Sequence, residues 1–552
     1  MKRLFLTYIL ILSATFCHAK INGTFIQSWL YSSWNDERWE EEVSYMKEVG
    51  MDEIIMADVA SKSSRESPWQ CSYPSSLPNT TRITDETRKI LLQSQKYNMK
   101  LFLGLGSDNR WWNWNLCNDN DYQDFSEAMS MACSIARELY SLYKNEFGET
   151  FSGFYSVYEI WNHIEWNNPK GRSLYADRMA EQFNRLIDTL NAIDPSMPLL
   201  FSPFSTQADW CADIENTKAF YEEFFQKCHF REIDGMLPMD NIGGGGQTLE
   251  TVEPWSAMYA KFIENNNGKP KCFANIESFV QPADSLLYDT EKTPLYGINY
   301  WGSAPLGRFI KQLNLAEKYA EKIYTFAYPH YQSPNNNLPG IHESLIEYLN
   351  NKEIDSTHPT LPSAIRFEMT AGINNYTQLS SPILKISWDD DYYDENDILC
   401  VRLLLNGNCV AYRTSTRAES GNSVHEPDYI LYPGFKDSEN RLYQVSFIDS
   451  WGNETLSEPF EIDLEKGENR LSENTLISDN FTKKRDKKII RLTGDEVSIV
   501  AQESGLYRIS IYTISGALTY SKKQWLKSGI NRLKITTSSK MQSPFAIIIS
   551  EK

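Results

Sequence analysis

Between residues 21 and 342, short uninterrupted apolar runs alternate with longer segments whose apolar positions recur every three to four residues. The first pattern suits a parallel strand covered on both faces, the second an amphipathic helix packed on it. Eight strands are predicted, at Gly23–Trp29, Asp52–Asp58, Lys100–Gly106, Phe151–Ile160, Leu199–Phe204, Ile233–Asp240, Cys272–Phe279 and Ile323–Tyr328. Helices are predicted between them at Glu37–Val49, Thr84–Asn98, Tyr122–Phe147, Leu174–Ile193, Ile214–Lys227, Val252–Glu264 and Leu306–Tyr319, with Gly50, Gly148 and Asp194-Pro195 as stops. Eight strands alternating with seven helices specify an α/β fold of the (β/α)8 TIM-barrel type with enlarged loops. No GxGxxG follows the first strand, which argues against a dinucleotide-binding doubly wound sheet.

Past Asn350 the period changes. Pro359, Pro362 and the polar stretch between them and Asp355 read as a linker. Short alternating runs then follow (ILKISW, CVRLLLNG, CVAYRT, RLYQVSFID), separated by turn residues such as Asn406-Gly407-Asn408 and Gly452-Asn453. They predict a β-sandwich over 361–465, similar to fibronectin III modules. Cys400 and Cys409 flank the Asn-Gly turn, close enough in sequence to face each other across a hairpin. A further β module is predicted over 476–552, and its run Gly505–Tyr520 resembles the C-terminal sorting or adhesion modules of secreted Bacteroidetes proteins. The expected division is a signal segment at 1–19, a barrel at 20–350 and these two β units.

A chain of 552 residues with 41% apolar residues has ample material for more than one core. Met1–Ala19 has a basic start at Lys2-Arg3, an apolar stretch and a small residue at Ala19, the pattern of a secretory signal. The protein is therefore expected to be secreted, periplasmic or cell-surface. A formal charge of −19 would repel a phosphate backbone, so no nucleic-acid partner is expected, while a neutral sugar is not disfavoured. The eight cysteines beyond the signal form no CxxC pair, and the His are scattered without HExxH, so isolated buried thiols, no metal site and no cofactor are expected.

Candidate chemistry lies where a barrel keeps it, at the C-terminal tips of the strands. Glu159 closes the fourth predicted strand and Glu277 the seventh. Two carboxyl groups facing one another across a barrel mouth can act as acid/base and nucleophile on a glycosidic bond. Residues 21–345, with these two glutamates, resemble secreted Bacteroidetes families of uncharacterised, glycosidase-like TIM barrels that carry a C-terminal β-sandwich. They are also similar in layout to the retaining glycosidase clan with glutamates on strands four and seven. The resemblance implies Glu159 as acid/base and Glu277 as nucleophile on an oligo- or polysaccharide. Tyr158 stands where that clan has Asn before the acid/base, with Asn162 as a nearby substitute. The alternative function is a non-catalytic carbohydrate-binding surface protein on the same scaffold.

Further substrate contacts are expected from other strand ends. Asp58, Asp108 and Asp240 follow strands two, three and six, and Tyr328 and His330 end strand eight. Trp111, Trp112 and Trp114 follow strand three, and exposed indoles there would stack on the C–H faces of sugars. Trp29, Trp34, Trp69, Trp161, Trp210 and Trp301 fall on the same predicted face. Gly243–Gly246 lacks the Lys-Ser/Thr of a phosphate loop and is expected to be a flexible rim or lid.

Overall fold

The computed structural model describes residues 20–31, 34–280, 302–336, 340–373, 380–388, 397–405, 408–414, 416–417, 424–425, 429–432, 435, 441–471, 489–493, 496–501, 505–513, 518–526, 529–534 and 545–551. At 28–29, 302, 336, 371–373, 380–382, 408, 414, 416–417, 424–425, 470 and from 489 onward, only the backbone is described. The predicted signal segment at 1–19 and the first part of the predicted C-terminal β module, 476–488, lie outside the described residues.

Eight parallel strands close into a barrel: β1 (Ile21–Ile26), β2 (Glu53–Met56), β3 (Lys100–Gly104), β4 (Phe151–Ser156), β5 (Leu199–Phe201), β6 (Gly235–Met236), β7 (Lys271–Glu277) and β8 (Lys322–Phe326). Each neighbour in sequence is a neighbour in space, and β8 pairs with β1, Thr24 opposite Thr325. The helices outside are α1 (Asp36–Glu48), α2 (Glu86–Lys96), α3 (Asp119–Phe147), α4 (Pro169–Ile193), α5 (Ile214–Lys227), α6 (Glu253–Asn265), α7 (Leu306–Ala316) and α8 (Ile341–Asn351). Their starts follow capping chemistry: Asn118 and Asp213 accept backbone N–H groups of the first turn, and Pro169 occupies the first position of α4. α8 is an addition to the predicted set: it lies between the eighth strand and the change of period past Asn350, where no element is predicted.

Strand alternation sorts the side chains into two cores. Outward residues pack with the helices in a single large cluster that includes Trp39, Trp166 and Tyr175. Inward residues Phe25, Ile55, Phe102, Tyr155, Leu200, Leu237, Phe273 and Tyr324, one from each strand or its continuation, form a plug across the barrel. Beneath that plug Glu53 is buried, receiving Lys322 Nζ at 2.6 Å and the Tyr324 hydroxyl. The plug is the floor on which the cavity at the other end rests.

The predicted strands run too long at their C-terminal ends. β4 stops at Ser156, β5 at Phe201 and β6 at Met236, after which the chain keeps its direction but leaves the ladder. Aromatic and apolar residues continue past those points because they line a mouth, not a sheet. A small four-stranded sheet, Thr80–Arg82, Trp69–Cys71, Ala60–Lys62 and Ser107–Asp108, forms in the loops after β2 and β3. Its strands of two or three residues are too short to leave a periodic signal.

Beyond the barrel, two four-stranded antiparallel sheets share a core containing Ile365, Trp388, Val401 and Phe447. One is built from Tyr429–Tyr432, Ser380–Ser387, Ala364–Ile373 and Glu468–Arg470, the other from Asn408–Thr414, Ile398–Leu405, Tyr443–Asp449 and Glu454–Leu456. Cys400 lies opposite Thr414 and Cys409 opposite Leu404, so the two do not face each other, and all eight described cysteines are free. This unit meets α7: the Leu306 and Gly307 N–H groups donate to the carbonyls of Ser450 and Trp451 at 2.7 and 3.0 Å. Two three-stranded sheets follow between Ile489 and Glu551.

One glycine tests the barrel's closeness. A Cβ on Gly104 would lie 2.0 Å from the Ala57 carbonyl oxygen, and backbone cannot yield as a side chain can. Gly104→Ala is expected to cost about 1–3 kcal/mol, read as a lowered urea midpoint.

Candidate active site

Because side chains alternate along a strand, β7 points Phe273, Asn275 and Glu277 into the barrel, and β4 with its continuation points Tyr155, Val157 and Glu159. The lowest residue of each set belongs to the floor; the highest stand at the mouth. An open cavity of about 1240 Å³ lies above the floor, lined by Glu159 and Glu277 together with Asp58, Asp108, Trp111, Trp112, Asn275 and Phe326.

Each glutamate is held by its neighbours. The Trp111 indole Nε1–H donates to the Glu159 carbonyl at 3.0 Å, and Phe204 N–H donates to the Ile160 carbonyl at 3.0 Å. These bonds fix a segment that has left the sheet. Glu277 is the last residue of β7, and its carboxylate Oε2 accepts Gly244 N–H at 2.7 Å. Its carbonyl accepts from Gln312 Nε2 at 3.0 Å and from the Arg308 guanidinium at 3.3 Å, both on α7. Asp240 stands behind it: Oδ1 accepts Glu277 N–H at 3.2 Å, and Oδ2 accepts Gln312 Nε2 at 2.6 Å.

The glycine run thus packs against Glu277. A Cβ on Gly243 would come within 2.9 Å of the Glu277 side chain, and one on Gly246 within 2.2 Å of Asn241 Nδ2. Glycine lets backbone N–H groups reach a buried carboxylate. The sequence reading as a lid missed that contact.

The electrostatics follow from burial. Glu159 is pushed up to about 8 by desolvation alone. Glu277 is likewise pushed up to about 8, by burial first and then by the Asp240 charge, against the pull of Gly244 N–H and Arg308; the charge of Glu159 also raises it. Asp240 is raised by burial and opposed chiefly by Gln312.

The other expected contacts divide. Asp58 lines the cavity. Trp112 is 54% exposed on its wall, 6.0 Å from the Phe204 ring. Trp161 lies outside the cavity against Trp210, which is 63% exposed. Trp111 and Tyr158 line the wall but are buried in a cluster with Trp114 and Phe125, so Trp111 offers its N–H to backbone and no open face to solvent. Asp108 is engaged by Arg110 at 2.6 Å.

The placement of six residues is corrected. Asn162 is fully buried and spends its amide on Thr206 and Ala212, since it closes the loop after β5. Asp240 supports Glu277 from behind. Tyr328 is buried with its hydroxyl 2.7 Å from His342 Nδ1, and buried His330 accepts Gln27 N–H at 3.3 Å; both lie on the helical turn Tyr328–Tyr331 and neither lines the cavity. Trp34 and Trp69 are core residues. The Trp29 side chain and Trp301 lie outside the described residues. Sequence reasoning missed Asn275, although its place two residues before Glu277 puts it on the same face. It also missed Arg308 and Gln312, which carry no motif.

A family model described as a domain of unknown function (DUF4434) matches residues 21–338. A comparison with curated proteins finds no match. Among solved structures, the chain is similar to a candidate α-L-fucosidase from Bacteroides thetaiotaomicron, at 19% identity over 60% of this chain and 96% of that one, with a TM-score of 0.46. It is similar to β-glucuronidase 2 of Bacteroides uniformis at 10% identity, covering 97% of this chain and 64% of that one, TM-score 0.37. It is also similar to the PgaB (BpsB) glycoside hydrolase domain of Bordetella bronchiseptica at 9% identity, covering 60% and 100%, TM-score 0.35.

A carboxyl whose folded pKa is raised keeps its proton when the unfolded chain has lost it, so its contribution to stability is lost as pH rises. For Glu159 the window runs from the ordinary 4.5 to about 8. Glu159→Gln should therefore gain stability relative to the native chain across that window and no further above it, as measured by urea unfolding at pH 4, 6, 8 and 9.

Proposed function

The chain belongs to the DUF4434 family, and we propose that its barrel is a glycoside hydrolase acting on an oligo- or polysaccharide with retention of anomeric configuration. The observation that carries this reading is the convergence of Glu159 and Glu277, from opposite sides of the barrel, on one open cavity. Burial raises both carboxyls to about 8, and the roles are assigned by the neighbours that differ between them. Glu159 is held near neutrality as the acid by burial, and so can protonate the departing glycosidic oxygen. Glu277 has a backbone N–H on its carboxylate and Arg308 nearby, both of which favour the charged form needed for attack on the anomeric carbon.

In the first step the Glu277 carboxylate forms a bond to that carbon as the glycosidic bond breaks, and the proton of Glu159 goes to the leaving oxygen. In the second, Glu159 takes a proton from water, which attacks the same carbon and releases Glu277. Exposed Trp112 and Trp210, bridged by Phe204 and Trp161, extend an aromatic surface from the cavity outward, suited to the C–H faces of neighbouring sugar units. Export through Met1–Ala19 and association with a cell surface belong to the same proposal. They fit a polymer too large to enter a cell.

Glu159→Gln and Glu277→Gln are each expected to lower the release of reducing ends from a polysaccharide panel by about 10²–10⁴-fold, with retained configuration in proton NMR of the native enzyme's first product. Glycan binding by the native protein with no release from any panel member would favour the non-catalytic binder instead. The rate should also fall above about pH 8 as Glu159 loses its proton. Trp112→Ala and Trp210→Ala should raise KM on long chains more than on disaccharides.

A further inference from the structure

Asn275 is a polar side chain among the residues lining the cavity, and it is fully buried. Its backbone is committed: N–H donates to the Pro238 carbonyl at 3.0 Å, and the Asn275 carbonyl accepts Asp240 N–H at 3.1 Å. Its side chain is not. Neither Oδ1 nor Nδ2 has a hydrogen-bonding partner among the described residues. Val157, Met239 and Phe326 line the same cavity and carry no side-chain hydrogen-bonding donor or oxygen acceptor. A buried amide with both ends unmet destabilises the fold that carries it, and an apolar residue of similar size would not. Nothing in the packing explains its presence, so the explanation should lie in what enters the cavity.

We infer that Asn275 is a substrate-recognising residue, taking two adjacent hydroxyl groups of the sugar ring that sits between Glu159 and Glu277. Three features point there. Asn275 precedes Glu277 by two residues on one strand face, about 6.6 Å by strand geometry, the scale of one monosaccharide. A carboxamide presents an acceptor and a donor side by side in one plane, and a hydroxyl can be either, so a vicinal pair satisfies both ends at once. The surrounding apolar wall makes those two bonds strong and their absence costly, which is how a site discriminates against a ligand lacking one hydroxyl. The inference rests on the glycan reading of the cavity and specifies its substrate: a sugar with two free neighbouring hydroxyls, inserted ring-first toward the floor.

The test uses the full-length protein and Asn275→Leu and Asn275→Val variants. The probes are the p-nitrophenyl glycosides of glucose, galactose, mannose, fucose and glucuronic acid in both anomeric forms, and their monodeoxy analogues. Binding is followed by saturation-transfer NMR and turnover by nitrophenol release. The variants are expected to melt at or above the native temperature while kcat/KM on the accepted glycoside falls by about 10²-fold or more. The native protein should penalise the matching deoxy analogue, and the variants should accept parent and analogue almost equally. Lower melting temperatures in both variants would make Asn275 a structural residue and overturn the inference, as would turnover kept within threefold. In either case the hydrolase reading would stand. If the native protein neither binds nor turns over any probe, both readings fall together.

Discussion

The site depends on keeping two carboxyl groups at the top of a barrel whose interior is apolar. Water is a far better solvent for a carboxylate than a wall of Phe, Met and Val, so burial alone would drive both protons on. Glu159 is left in that condition. Glu277 is raised to about 8 as well, burial and the Asp240 charge outweighing the pull of Gly244 N–H and the α7 cation, two counterweights that Glu159 lacks. Two carboxyl groups raised alike thus differ in what their backbones and neighbours offer, and a glycine run is the cheapest way to bring an amide that close to one of them.

Much of this architecture was legible in the chain. Buried parallel strands are short runs of Val, Ile, Leu, Phe and Tyr, and their spacing by helices leaves little room for another fold. Glu159 and Glu277 could be singled out because a charge at the end of such a run is out of keeping with its surroundings. Strand ends were less legible. Ile160 and Phe204 are as apolar as the residues inside the ladder, and nothing local marks where hydrogen bonding stops and a cavity wall begins.

The errors in the site share a cause. Asn162, Tyr328 and His330 have the right chemistry and the right place in the chain, but side-chain direction decides, and direction past the end of a strand no longer follows the two-residue rule. Asp240 illustrates the same limit differently: it is close to the chemistry but on the far side of Glu277. Asn275 obeyed the rule and was overlooked, since an amide within a strand attracts less notice than an acid at its end.

The contact between the sandwich and α7 has a consequence for the barrel itself. The carbonyls of Ser450 and Trp451 grip the first turn of α7 at Leu306 and Gly307, and Arg308 and Gln312 reach from that same helix to the carbonyl of Glu277. The helix behaves as a lever with the accessory unit at one end and the reacting carboxylate at the other. Detached from its sandwich, the barrel would keep every residue of its chemistry yet lose the brace that holds one of them to its mark.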